Sequence, residues 1–168
     1  QVLVGAVGDE TCDRVPFQFG QYESDNRVDE QLRNVFLEGG GGAGIQESYL
    51  LALYAAAYKT ATDCFEKRGK KGYLFLIGDE LFYDRLSRRE IQKVFGTQAP
   101  QDYSASELVA VALERYEVFF IVPAGAAHGQ EREIYDTWQN LLGQRVLRLD
   151  DPALVCELIV SAVALTEG

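Results

Sequence analysis

Four runs rich in β-branched and aromatic residues punctuate the chain: Val2 to Val7, Tyr73 to Ile77, Val118 to Val122, and Arg145 to Leu149. The middle two are almost continuously apolar, the pattern of strands buried on both faces. Between them, apolar positions recur at three and four residues. The clearest such series is Leu50, Leu53, Tyr54, Ala57, Tyr58, Ala61, Cys64 and Phe65, which predicts a helix. Further helices are predicted at Val28 to Leu37, Ser87 to Phe95, Ser106 to Arg115, Glu131 to Leu142, and from Pro152 onward. Strands that alternate with helices long enough to serve as crossovers predict an α/β protein. Its expected form is a three-layer α/β/α sandwich around a mainly parallel sheet. Arg14 to Asp25, with Pro16 and Gly20, reads as a short edge strand and loop, and Gln98 to Ser104, with Pro100, as another loop.

The 168 residues suit a single domain. A net charge of -10 repels phosphate backbones and anionic lipid, so neither nucleic acid nor a membrane surface is an expected partner. The one basic run, Lys67, Arg68, Lys70 and Lys71, falls between a helical and a strand pattern and reads as a solvated turn. Cys12, Cys64 and Cys156 form no C-x-x-C pair and read as reduced structural thiols. With no apolar stretch of bilayer length and no signal pattern at Gln1, the expected location is cytoplasmic.

Two strand patterns end in the same tripeptide, Gly8-Asp9-Glu10 and Gly78-Asp79-Glu80. In a parallel sheet the strand exits share one edge, and ligands bind in the crevice beyond it, so Asp9 and Asp79 are expected to face a common site. The competing reading is that each aspartate caps the turn after its strand. Gly39-Gly40-Gly41-Gly42-Ala43-Gly44 then leads into Gln46-Glu47-Ser48, so Glu47 is expected to open the strongest helix. Five glycines in six residues imply positive φ or a close backbone approach, or else a flexible linker. No Gly-Lys-Ser/Thr comes after them, which excludes a P-loop. Carboxylate and hydroxyl oxygens are hard ligands, suited to Mg²⁺, Mn²⁺ or Ca²⁺.

Strand-Asp9, glycine loop, Glu47-Ser48 helix and strand-Gly78-Asp79, in that order, resemble a von Willebrand factor A (vWA) domain from its second strand onward. The likeness spans nearly the whole chain and implies a Rossmann-like fold. In the family subset with a glycine loop, Glu47 matches the glutamate of the second motif of the metal-ion-dependent adhesion site. Asp79 resembles the aspartate of the third motif, and Asp9 a residue found in the same subset. The resemblance implies that Asp79, Glu47 and Asp9 hold Mg²⁺ and that Gly41, Gly42, Ser48, Glu80, Tyr83 and His128 contact the partner. That partner is a protein presenting an acidic group. Bacterial members of the family work beside AAA-type ATPases, which makes such an ATPase a candidate.

The family's first motif, Asp-x-Ser-x-Ser at the end of the first strand, is expected ahead of Gln1. Asp102-Tyr103-Ser104-Ala105-Ser106 spells it, but the polar Gln98 to Gln101 cannot be a buried strand, and Ser104 with Glu107 reads as a capping box. His128, the only histidine, either touches a ligand or is solvated, and Trp138 is expected in the core. Tyr22, Tyr49 and Tyr83 are candidate rim contacts. A non-catalytic interaction module is the leading expectation. The alternatives are a Mg²⁺-dependent phosphohydrolase or phosphoacceptor using Asp9 and Asp79, and a structural vWA domain with a degenerate metal site. Phosphoryl chemistry would need a cation at another strand exit, and Pro123-Ala124-Gly125 offers none.

Overall fold

The computed structural model describes residues 1–38 and 44–168. In chain order the elements begin with strand β1 (Gly5–Val7), strand β2 (Phe17–Phe19), helix α1 (Arg27–Arg33), strand β3 (Gln46–Glu47), helix α2 (Tyr49–Tyr58) and helix α3 (Asp63–Arg68). Next come strand β4 (Gly72–Ile77), strand β5 (Leu81–Phe82), strand β6 (Arg85–Leu86), helix α4 (Arg88–Phe95), strand β7 (Tyr103–Ser104) and helix α5 (Ala105–Arg115). The chain ends with strand β8 (Tyr116–Pro123), helix α6 (Arg132–Leu142), strand β9 (Val146–Leu149) and helix α7 (Val155–Glu167). This is a mixed α/β protein. Its central sheet is parallel and short, three strands in the order β4-β8-β9.

Val2 to Val7 does not join that sheet among the described residues. Only Gly5–Val7 forms a strand, paired antiparallel with β2. The helical pattern running to Phe65 is broken: α2 ends at Tyr58, and Thr62 takes an extended backbone as N-cap of the separate α3. Two threonines within Thr60–Asp63 carry the reason, since β-branched side chains crowd a helix while Thr and Asp favour its first turn. The expected Val28 to Leu37 helix stops at Arg33, and Tyr103–Ser104, expected as loop, pairs with Arg85–Leu86.

The core is built around α2. Every residue from Tyr49 to Ala57 is buried, so this helix is covered on all sides instead of along one stripe. It packs against α5 and reaches both β1 and β4. Small Ala52, Ala55, Ala56 and Ala57 permit that close approach. Trp138 is fully buried, as its spacing predicted, and stacks on Phe120 at 3.7 Å between ring centroids. Tyr49 and Phe82 meet the same indole edge-on. Such aromatic pairs contribute about 0.5–1.5 kcal/mol each beyond the area they bury. Among the described residues, no helix is long and apolar enough to cross a membrane.

A candidate carboxylate rim

The exits of β1 and β4 meet at the start of α2. The Ser48 amide donates to the Gly8 carbonyl at 3.2 Å, and the buried Ser48 hydroxyl accepts from the Glu10 amide at 2.9 Å. The Tyr49 hydroxyl lies against Gly78, where an added Cβ would sit 1.9 Å from it. Gly8 is matched in kind: a Cβ there would meet the Asp13 carboxylate at 2.2 Å. The repeated Gly-Asp-Glu therefore has a shared local cause, a glycine that lets a polar side chain close over the strand end. Strand β3 pairs in parallel with β5, with Glu47 opposite Phe82, and so draws Asp79 and Glu80 to the same rim. Glu47 does not open the helix as expected. It occupies this short strand, two residues ahead of Tyr49.

The three predicted ligands are in different states. Asp9 is buried, and both its oxygens are engaged. The Thr11 amide donates to Oδ1 at 2.9 Å, the Thr11 hydroxyl to Oδ2 at 2.7 Å, and the Tyr83 hydroxyl lies 3.1 Å from each. Burial pushes the Asp9 carboxyl up, but the hydrogen bonds from Thr11, Tyr83 and Cys12 together outweigh it and hold it below its ordinary range. Asp9 thus performs the turn-capping duty that competed with metal binding. Asp79 accepts from the His128 amide at 2.8 Å, which ties the exit of β4 to the loop after β8.

Glu47 is the open one. Its Oε2 is buried without a hydrogen-bond partner, and the group is pushed up to about 7, first by burial and then by the charges of Glu80, Asp9 and Asp13. Glu80 is raised for the same leading reason, with Asp79 and Asp9 adding to it. Among the described residues, no Lys or Arg pairs with Asp9, Glu47, Asp79 or Glu80; Lys93 pairs with Glu10. Among the same residues, no three His, Cys, Asp or Glu side chains form a ready coordination group. A hard cation that keeps most of its waters needs only one or two protein carboxylates. Of the three carboxylates, Glu47 is the one with a buried oxygen left unpartnered.

Of the expected contact residues, Tyr83 and Glu80 lie at the rim. The hydroxyl of Ser48 is used internally. Gly41 and Gly42 lie outside the described residues. The His128 ring accompanies Glu131, with Nδ1 and Oε1 2.5 Å apart, and this hydrogen bond raises its pKa. Tyr22 is not at the rim: its hydroxyl meets that of Tyr116 at the opposite, N-terminal end of β8. Tyr49 is buried and supports the rim from beneath. Asp102-Tyr103-Ser104-Ala105-Ser106 is a helix start, with the Ser104–Glu107 capping box present and Asp102 held by the Arg88 amide. One contributor had no signal in the sequence beyond its core spacing. Trp138 Nε1 donates to the Glu80 carbonyl at 2.9 Å and so fixes the rim loop from the core. An open concavity of about 640 Å³ at Arg85, Arg88 and Asp102 lies apart from these residues.

Fold and site define a mixed α/β protein with a carboxylate rim where the ends of β1 and β4 reach the start of α2. No protein-family model, curated protein or solved structure matches the chain.

Proposed function

We propose that this chain is a non-catalytic protein-interaction module of vWA type. In this reading its rim holds Mg²⁺ or a similar hard cation through Glu47, with Asp79 and Asp9 nearby, and presents the ion to an acidic group on a partner protein. The three-layer sandwich and an AAA-type ATPase as partner belong to the same reading, as does a cytoplasmic setting. The observation that carries it is Glu47: a carboxylate with a buried, unpartnered oxygen, surrounded by like charge and matched by no cation among the described residues. An ion would supply the missing partner and counter-charge together. The lack of any Lys or Arg on the same carboxylates among the described residues disfavours phosphoryl transfer, which needs positive charge where negative charge develops.

A specific observation supports the second reading, a structural domain with a degenerate site: both oxygens of Asp9 are already satisfied inside the protein. Thermal melts in excess Mg²⁺ or Mn²⁺ separate the two. Binding to the folded state alone stabilises it by about 2.7 kcal/mol at a hundredfold excess over Kd. The expected outcome is a rise in Tm for wild type and none for Glu47→Gln. Equal curves with and without metal in both proteins would leave the structural reading in place.

A further inference from the structure

Strands β6 and β7 pair as a two-residue antiparallel ribbon, with Arg85 opposite Ser104 and Leu86 opposite Tyr103. Leu86 and Tyr103 are buried, so the alternation along a strand turns Arg85 and Ser104 to the outer face. A helix follows each strand at once: Ser87 caps α4 and Ser104 caps α5, both through complete capping boxes. The open concavity of about 640 Å³ lies at this junction. Arg85, Arg88, Ser104 and Glu107 line it from the ribbon and the helix starts, and Pro100 to Asp102 line it from the loop that joins α4 to β7. Both helix starts therefore border one space, and the positive ends of both dipoles fall on it.

Donors outnumber acceptors here. The two carboxylates of the lining are committed to the backbone: Asp102 Oδ1 accepts from the Arg88 amide at 2.9 Å, and Glu107 Oε2 accepts from the Ser104 amide and hydroxyl, each at 2.7 Å. The two guanidinium groups are not matched in the same way. Arg85 has no side-chain hydrogen bond or ion pair among the described residues, although Asp102 and Glu107 line the same space. Arg88 has one ion pair, from Nε to Asp102 Oδ1 at 3.4 Å. A guanidinium carries a planar fork of donors that grips an oxyanion at two points. Among the described residues, the lining has no aromatic side chain and a single apolar one, Pro100, so it offers no platform for a nucleobase or a lipid tail.

We propose that this concavity is a phosphate-binding site, separate from the carboxylate rim, which takes a phosphomonoester through Arg85 and Arg88. A phosphomonoester has three terminal acceptor oxygens, enough to engage both guanidinium forks at once, whereas a carboxylate has two. The like charge of Asp102 and Glu107 tempers the attraction, so recognition is short-ranged and set by geometry. The net charge of -10 does not forbid it: at physiological ionic strength, charges beyond about 8 Å are largely screened, while the two guanidinium groups touch the ligand directly. A phosphorylated side chain and a small phosphorylated metabolite present the same group to such a site.

The test titrates the full chain, with a chelator present to keep metal off the rim, against inorganic phosphate and against a short alanine peptide carrying one phosphoserine. Calorimetry reads the affinity, and the arginine Nε–H signals in NMR place the ligand. Both probes should bind, and Arg85→Gln and Arg88→Gln should each weaken phosphate by about tenfold or more. Glu107→Gln keeps an acceptor for the Ser104 amide but removes a charge from the lining, and should tighten phosphate by about threefold. Glu47→Gln at the rim and Arg132→Gln on α6 should bind as wild type does, so the fate of the metal reading and the fate of this site are read separately. A phosphopeptide that binds more tightly than phosphate assigns the ester to a modified side chain, and phosphate that binds at least as tightly assigns it to a free metabolite. No binding at about 10 mM phosphate, an affinity that both arginine variants leave unchanged, or an unphosphorylated peptide that binds equally well would overturn the assignment.

Discussion

Gly78 shows how one atom decides a position. Its missing Cβ leaves room for the Tyr49 hydroxyl, and Tyr49 in turn packs edge-on against Phe120 and Trp138. Gly78→Ala should therefore cost about 1–3 kcal/mol through overpacking, read as a lower denaturant midpoint at unchanged m-value. Pairing it with Tyr49→Phe should recover part of the loss. Cys12 offers a chemical reading of the same rim. Although exposed, its thiol is pushed up to about 11, by desolvation first and then by the charges of Asp9 and Asp13. Since the thiolate is the nucleophile, Cys12 should alkylate more slowly than a free cysteine in a peptide at mildly basic pH, and faster after Asp13→Asn, as peptide mass mapping would record. The sequence pointed to Asp9 and Asp79 as strand-exit carboxylates. It did not reveal that Thr11 and Tyr83 would occupy Asp9, because hydroxyls from a turn and from a distant segment leave no spacing signature.

Local rules were most legible at the level of the element. Ser104 and Glu107 stand at capping-box spacing before an apolar run, and both reciprocal bonds are present: the Glu107 amide donates to Ser104 Oγ at 3.3 Å and the Ser104 amide to Glu107 Oε2 at 2.7 Å. Ser104→Ala should lower stability by about 1 kcal/mol, seen in chemical denaturation. Strand β8 was equally readable, since an almost unbroken apolar run suits the middle of a parallel sheet, whereas β4, read the same way, is the edge strand with only Leu76 buried and Ile77 exposed. The elements that escaped are the two-residue strands β3, β5, β6 and β7. Each exists because its partner is brought alongside by the packing of others, and two residues carry no period to detect.

At the scale of the whole molecule, an acidic chain has gathered Asp9, Glu47, Asp79 and Glu80 at one edge, and the folded state bears the resulting repulsion. For Glu47 the sign comes from its displacement upward from 4.5 to about 7: the fold favours the protonated form, so its contribution is fully present below about pH 4.5 and is lost as pH rises through about 7. Without metal, the Tm of Glu47→Gln relative to wild type should climb across that window and level off above it. In Mg²⁺ the wild type should recover most at the upper end, where no proton competes for the carboxylate. A difference between the two proteins that does not vary with pH would separate Glu47 from the charge cluster.

The class of the fold, the parallel pair β4 and β8 with β8 buried, the cap at Ser104 and the core placement of Trp138 were determined by the sequence itself. These depend on periodicity and on neighbours three or four residues away. Tertiary structure alone decided that Asp9 is satisfied internally, that Tyr22 lies at the far end of β8, and that Trp138 holds Glu80. The physical reason is common to all three: hydrogen-bond saturation and desolvation depend on atoms brought together from distant parts of the chain, and no local pattern encodes which of them will meet.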